Sequence, residues 1–113
     1  GGIVVGILPD ADLSRASKHL TIPITTGISF ARNQIIALSC DAMIVVGGGV
    51  GTLTEAAFAY VHEKPVIHIR GSGGLVKYYV GKYMDKKKKV KILEAKNPKR
   101  AIELAIKYAS KSI

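Results

Sequence analysis

Four glycines within five positions, Gly47, Gly48, Gly49 and Gly51, separate the apolar run Ala42–Val46 from the helical pattern Leu53–His62. A chain that passes from strand to helix through residues without a Cβ can take positive φ angles and turn its backbone N–H groups toward one point. The dipole at the start of the following helix adds to the pull on an anion. The segment Gly47-Gly48-Gly49-Val50-Gly51-Thr52 therefore reads as an anion or nucleotide-phosphate site in a strand–loop–helix unit. It matches neither common fingerprint: no Lys-Ser/Thr pair follows to make a P-loop, and Thr54 stands where a G-x-G-x-x-G counted from Gly49 needs its last glycine. ATP hydrolysis and ordinary NAD binding are disfavoured. Two plainer readings compete. The glycines could make only a tight turn, and Thr52-Leu53-Thr54-Glu55 fits a capping box in which Thr52 caps the helix and Glu55 reaches back to the Thr52 N–H.

The rest of the chain alternates strand and helix signals. Ile3–Leu8 is an apolar run that reads as a strand buried on both faces, and Ile22–Thr26 is a weaker strand ended by Gly27. Ser29 is the expected N-cap of a helix from Phe30 to about Ser39, with Ala42–Val46 the clearest buried strand after it. Pro65–Ile69 is the next strand, Gly71–Gly74 a loop, Leu75–Tyr83 a helix and Val90–Leu93 the closing strand. Asn97-Pro98 supplies an N-cap and a first-turn proline for a last helix to about Ser110. Such alternation with short connections implies right-handed crossovers and an α/β, Rossmann-like parallel sheet with helices on both faces. Ligands in that architecture sit beyond the carboxyl ends of the strands. Residues 1–113 are expected to form one domain, since the chain is long enough to bury a core and shows no repeat or linker.

The net charge of +9 raises the question of an anionic partner, and its distribution matters more than its size. Residues 1–76 balance five basic against five acidic side chains, while residues 77–113 carry twelve against three, away from the glycine loop. Lys86–Lys89 with Lys91, near Tyr78, Tyr79 and Tyr83, offers a nucleic-acid reading. The weightier reading is a solvated turn that protects an edge strand, so nucleic acid is not an expected partner. His19, His62 and His68 share no ligand spacing, and no metal site is expected. Cys40 has no disulfide partner within the chain and reads as a small core residue. With no signal segment and no apolar run of about 18 residues, a soluble cytoplasmic protein is expected. Ile35, Ile36, Phe58 and Tyr60 are candidates for a helix-mediated interface, or they face the sheet.

Taken in order, Thr26-Gly27, Ala31-Arg32-Asn33, Ser39-x-Asp41-Ala42, Gly48-Gly49-x-Gly51-Thr52-x-x-Glu55 and Lys64-Pro65-Val66 resemble the Lonely Guy superfamily, long labelled "lysine decarboxylase-like". The resemblance runs from residue 1 to about 70. Gly47 in place of the enzymes' Pro, and Asn33 in place of their Lys, point to the branch of molybdenum-cofactor carrier proteins. The resemblance implies a Rossmann-like fold, a homodimer or larger homo-oligomer, and a phosphorylated small molecule as ligand, nucleotide or molybdopterin-type, with no cofactor required. It also implies that this chain lacks the usual first strand–loop–helix unit and corresponds to the C-terminal two thirds of a longer family-type domain. The Lonely Guy enzymes split nucleoside 5′-monophosphates into free base and ribose 5-phosphate. By motif position, Arg32 would hold substrate or transition-state charge and Glu55 would bind ribose hydroxyls or assist water. The Gly47–Thr52 backbone would hold the 5′-phosphate, with Thr26, Gly27 and Asn33 around it. A carrier-like binding protein is the first expectation, and a phosphoribohydrolase the second.

Overall fold

The computed structural model describes residues 1–109. Strand β1 (Val5–Leu8) pairs in parallel with β2 (Ile22–Thr25), and β3 (Met43–Val45), β4 (Val66–Ile69) and β5 (Leu93–Ala95) form a second parallel ladder with β4 in the middle. Helices α1 (Arg32–Ser39), α2 (Val50–Val61) and α3 (Pro98–Ala109) alternate with them. Within each ladder, strands consecutive in the chain are neighbours. Among the described residues no ladder joins β1 to β3.

Helices cover both faces of β4, which explains why Val66, Ile67 and His68 are all buried. Val66 packs in a cluster with Ala37 of α1 and with Ala56 and Ala59 of α2, whereas Ile67 packs with Ala101 and Leu104 of α3. The alanines are fully buried, and their short side chains let the helices approach the sheet closely. Asn97 is the expected cap of α3, its Oδ1 accepting the Arg100 N–H at 2.8 Å, and the expected end near Ser110 lies outside the described residues.

Several local expectations are corrected. Neither β1 nor β3 is buried on both faces: Val5 is 49% exposed, and in β3 Met43 and Val45 point into the core while Ile44 and the following Val46 face out. Apolar sequence forms the strand, but a covering element must arrive from elsewhere to bury it. Leu75–Tyr83 is not a helix. It holds one 3-10 turn, Val76–Tyr79, after which Val80 extends to bridge Ile92 and Gly81, at φ +76°, redirects the chain. The closing strand consequently starts at Leu93, later than expected. Ser29 does not cap α1. It takes a left-handed φ of +52° and opens a 3-10 turn, and Ala31 precedes the helix.

The capping box is also absent. Helix α2 begins at Val50 with Gly49 as its N-cap, which puts Thr52 and Glu55 inside the helix rather than at its threshold. Tyr60 is buried within the chain, its hydroxyl donating to Asp85 Oδ1 at 2.7 Å, so it is a core residue and not an interface one. Lys86–Lys89 forms an exposed turn that Asp85 closes by accepting the Lys87 N–H at 3.0 Å. Cys40 packs against the core, and burial pushes its thiol up from its ordinary value. No described helix is long and apolar enough to cross a membrane.

Candidate functional site

The chain leaves β3 through Gly47 and Gly48, both left-handed at φ +60° and +88°, conformations that glycine takes without the cost of a Cβ. At Gly48 a side chain would also collide with that of Thr52. The Gly47 N–H donates to Ser72 Oγ at 3.0 Å, and Leu53 is the first residue to bond back, to the Gly49 carbonyl at 3.0 Å. Between them, the successive N–H groups from Gly48 to Thr52 have no protein acceptor among the described residues. They are the orphan donors of a helix start, gathered with the dipole of a helix twelve residues long.

A second loop clamps the first. After β4, Ser72 Oγ donates to the Ile69 carbonyl at 2.7 Å while accepting from Gly47, and the Leu75 N–H reaches the Gly48 carbonyl at 3.2 Å. Buried His68 places Nε2 3.0 Å from the Gly73 carbonyl and 3.4 Å from Ser72 Oγ, which selects the tautomer with the proton on Nε2 and leaves Nδ1 buried without a partner. Gly74 touches the Gly47 and Gly48 backbone so closely that no Cβ fits. The sequence reading missed Ser72, His68 and Gly74. Their signal was the Gly71-Ser72-Gly73-Gly74 run at the end of the neighbouring strand, where the same type of turn recurs.

Helix α1 supplies the other wall. Asn33, 2% exposed, donates through Nδ2 to the Gly51 carbonyl at 3.2 Å and to Thr54 Oγ1 at 3.0 Å, stapling α1 to the first turn of α2. Its Oδ1 is buried without a partner among the described residues. Arg32, half-buried, reaches the other ladder, Nη1 donating to the Ile7 carbonyl at 2.9 Å, while Nε is buried and unpaired. Glu55 is half-buried one turn into α2. Burial pushes its carboxyl up from its ordinary value, and the Arg32 guanidinium opposes that rise.

The structure therefore sets Asn33 against the first turn of α2, with Glu55 on the same helix and Arg32 within electrostatic reach of Glu55. Thr26 and Gly27 stand at the end of the β1–β2 ladder instead. Thr26 Oγ1 donates to the Leu8 carbonyl at 2.7 Å, and Gly27, at φ +66°, sends its N–H to the Asp10 carbonyl at 3.0 Å. Both bonds tie the loops after β1 and β2 together at the carboxyl ends of the strands.

Fold and site together define a Rossmann-like α/β protein with its glycine loop at the carboxyl end of a parallel ladder. The chain belongs to the SLOG cluster4 family, which it matches over residues 1–102. Among curated proteins it is 45% identical over 71 residues to an uncharacterised protein of Archaeoglobus fulgidus, an alignment covering 62% of this chain and 46% of that one. It is 35% identical over 77 residues to the cytokinin riboside 5′-monophosphate phosphoribohydrolase of Mycobacterium tuberculosis, covering 61% of this chain and 41% of the enzyme. Among solved structures, it superposes on the X-ray structure of TM1055 with a TM-score of 0.85 at 34% identity, covering 95% of this chain and 65% of that one. The molybdenum cofactor binding protein of Rippkaea orientalis follows with a TM-score of 0.77 at 32% identity, covering 94% and 62%. The chain spans less than two thirds of the length of each of these relatives. The resemblance to the Lonely Guy superfamily and its cofactor-carrier branch is confirmed on both sides.

Proposed function

We propose that this protein binds a phosphorylated small molecule of the nucleotide or pterin class, with the phosphate on the Gly48–Thr52 backbone. The observation that carries the reading is the set of N–H groups from Gly48 to Thr52, without acceptors among the described residues at the start of α2 and held in place by Ser72 and Asn33. The loop tolerates no side chain at Gly48 or Gly74, so its shape is enforced and not incidental. Relatives whose names state a nucleoside monophosphate substrate and a molybdenum cofactor ligand support the same ligand class. A molybdopterin-type ligand would meet the loop through its phosphate, and the residues present suit that end of it. Ligand-induced shifts in melting temperature across nucleoside 5′-monophosphates test the reading, which fails if neither these nor ribose 5-phosphate raises it.

A second reading is favoured by Glu55. Its carboxyl sits half-buried, lies within electrostatic reach of Arg32, and has no hydrogen-bond partner among the described residues. In a nucleoside 5′-monophosphate phosphoribohydrolase, Arg32 would hold the ribose or leaving-group charge and Glu55 would bind hydroxyls or assist water. Release of free base by this chain, lost in Glu55→Gln, would establish that activity. Phosphate-dependent binding without base release, equal in both proteins, would leave the carrier.

A further inference from the structure

A small cleft opens directly beside the glycine loop, lined by Phe30, Val50, Gly51 and Thr54, with a volume of about 190 Å³ and almost wholly apolar walls. Phe30 is 75% exposed and Val50 68% exposed, an unusual display of apolar surface next to donors that attract an anion. The display is built by the fold. Ser29 takes its left-handed φ while its N–H bonds the Pro9 carbonyl at 3.0 Å, fixing the 3-10 turn that carries Phe30. The Phe30 ring comes within 3.8 Å of the point where a Gly51 Cβ would stand, which sets the ring directly beside Gly51. The Thr54 hydroxyl is spent, donating to the Gly51 carbonyl at 2.6 Å and accepting from Asn33 Nδ2, and offers no free donor there.

We infer that Phe30, with Val50 and Gly51, is the ring-binding subsite of the protein, on which the flat heteroaromatic ring of the phosphorylated ligand stacks. The cleft suits one flat ring. It is continuous with the anion site, because Val50 and Gly51 both line the cleft and contribute N–H groups to the loop. A ligand charged at one end and flat and weakly polar at the other satisfies both surfaces together. Aromatic stacking tolerates many bases, so the subsite selects for a ring and only weakly among rings.

This inference rests on the phosphate reading of the loop, and its test separates the two. Affinities of AMP and of ribose 5-phosphate are measured by calorimetry for the wild type, Phe30→Ala and Phe30→Tyr. Phe30→Ala is expected to weaken AMP roughly 10- to 100-fold and ribose 5-phosphate less than about 2-fold, with Phe30→Tyr within about 3-fold of the wild type for AMP. The Phe30 ring protons should shift upfield on adding AMP and stay in place on adding ribose 5-phosphate. Equal effects of Phe30→Ala on both ligands, or no effect on either, overturn the subsite and leave the loop reading standing. So does a change of oligomeric state in Phe30→Ala with AMP affinity intact, which would assign the patch to a second copy. Failure of the wild type to bind either ligand overturns both.

Discussion

Removing one hydroxyl, in Ser72→Ala, tests whether the loop after β4 holds the glycine loop in its binding shape. Gly47 is buried, and the Ser72 Oγ is the acceptor of its N–H at 3.0 Å. The substitution strands that N–H, at a cost of about 1–3 kcal/mol for an unsatisfied buried donor. The other bond lost costs little more, because the Ile69 carbonyl keeps the Ser72 N–H at 3.2 Å. For a chain of this size the loss corresponds to roughly 4–12 °C in melting temperature. Thermal unfolding followed by circular dichroism measures it, and hydrogen exchange at the Gly47 amide locates it, since that amide should lose protection first. Phosphate-ligand affinity should fall with it, as Gly47 and the donors after it lose a fixed direction. A melting temperature within about 1 °C of the wild type, with the Gly47 amide still protected, would refute the clamp.

Two further predictions concern titrating groups. Glu55 has a carboxyl raised by burial, so the fold favours its neutral form. The stability this contributes is complete in acid, below the ordinary carboxylate range, and is lost as pH rises through the folded value. Glu55→Gln should accordingly melt higher than the wild type at neutral pH, with the gap closing in acid. A gap independent of pH in a series of melting curves would show that burial of Glu55 is not its cause. Asp85 is held below its ordinary value chiefly by the Tyr60 hydroxyl, so Tyr60→Phe should let it rise, read from the Asp85 side-chain carbon shift in an NMR titration. An unmoved Asp85 would assign the effect to the neighbouring lysines instead.

The strand–glycine loop–helix unit was legible because its causes are local. Positive φ at Gly47 and Gly48, and the N–H groups of Gly48 to Thr52 at a helix start, follow from residue type and order alone. The Asn97 cap and the alternation that made every ladder parallel are local in the same sense. Arg32, Asn33 and Glu55 were named through resemblance. Asn33 bonding the first turn of α2 and Arg32 coming within electrostatic reach of Glu55 needed α1 to pack on α2, which spacing in the sequence does not express.

What the tertiary structure alone decided involves partners distant along the chain. Ser72 reaches Gly47 across 25 positions, Arg32 reaches Ile7 across 25, and Tyr60 reaches Asp85 across 25. No periodicity records such pairings, so the clamp went unseen and Tyr60 could be taken for an interface residue. Burial has the same origin. Apolar runs at Ile3–Leu8 and Ala42–Val46 looked alike to Pro65–Ile69, yet among the described strands β4 alone buries three residues in succession, Val66, Ile67 and His68. A sequence sets which residues avoid water, and the packing of distant elements sets which of them can.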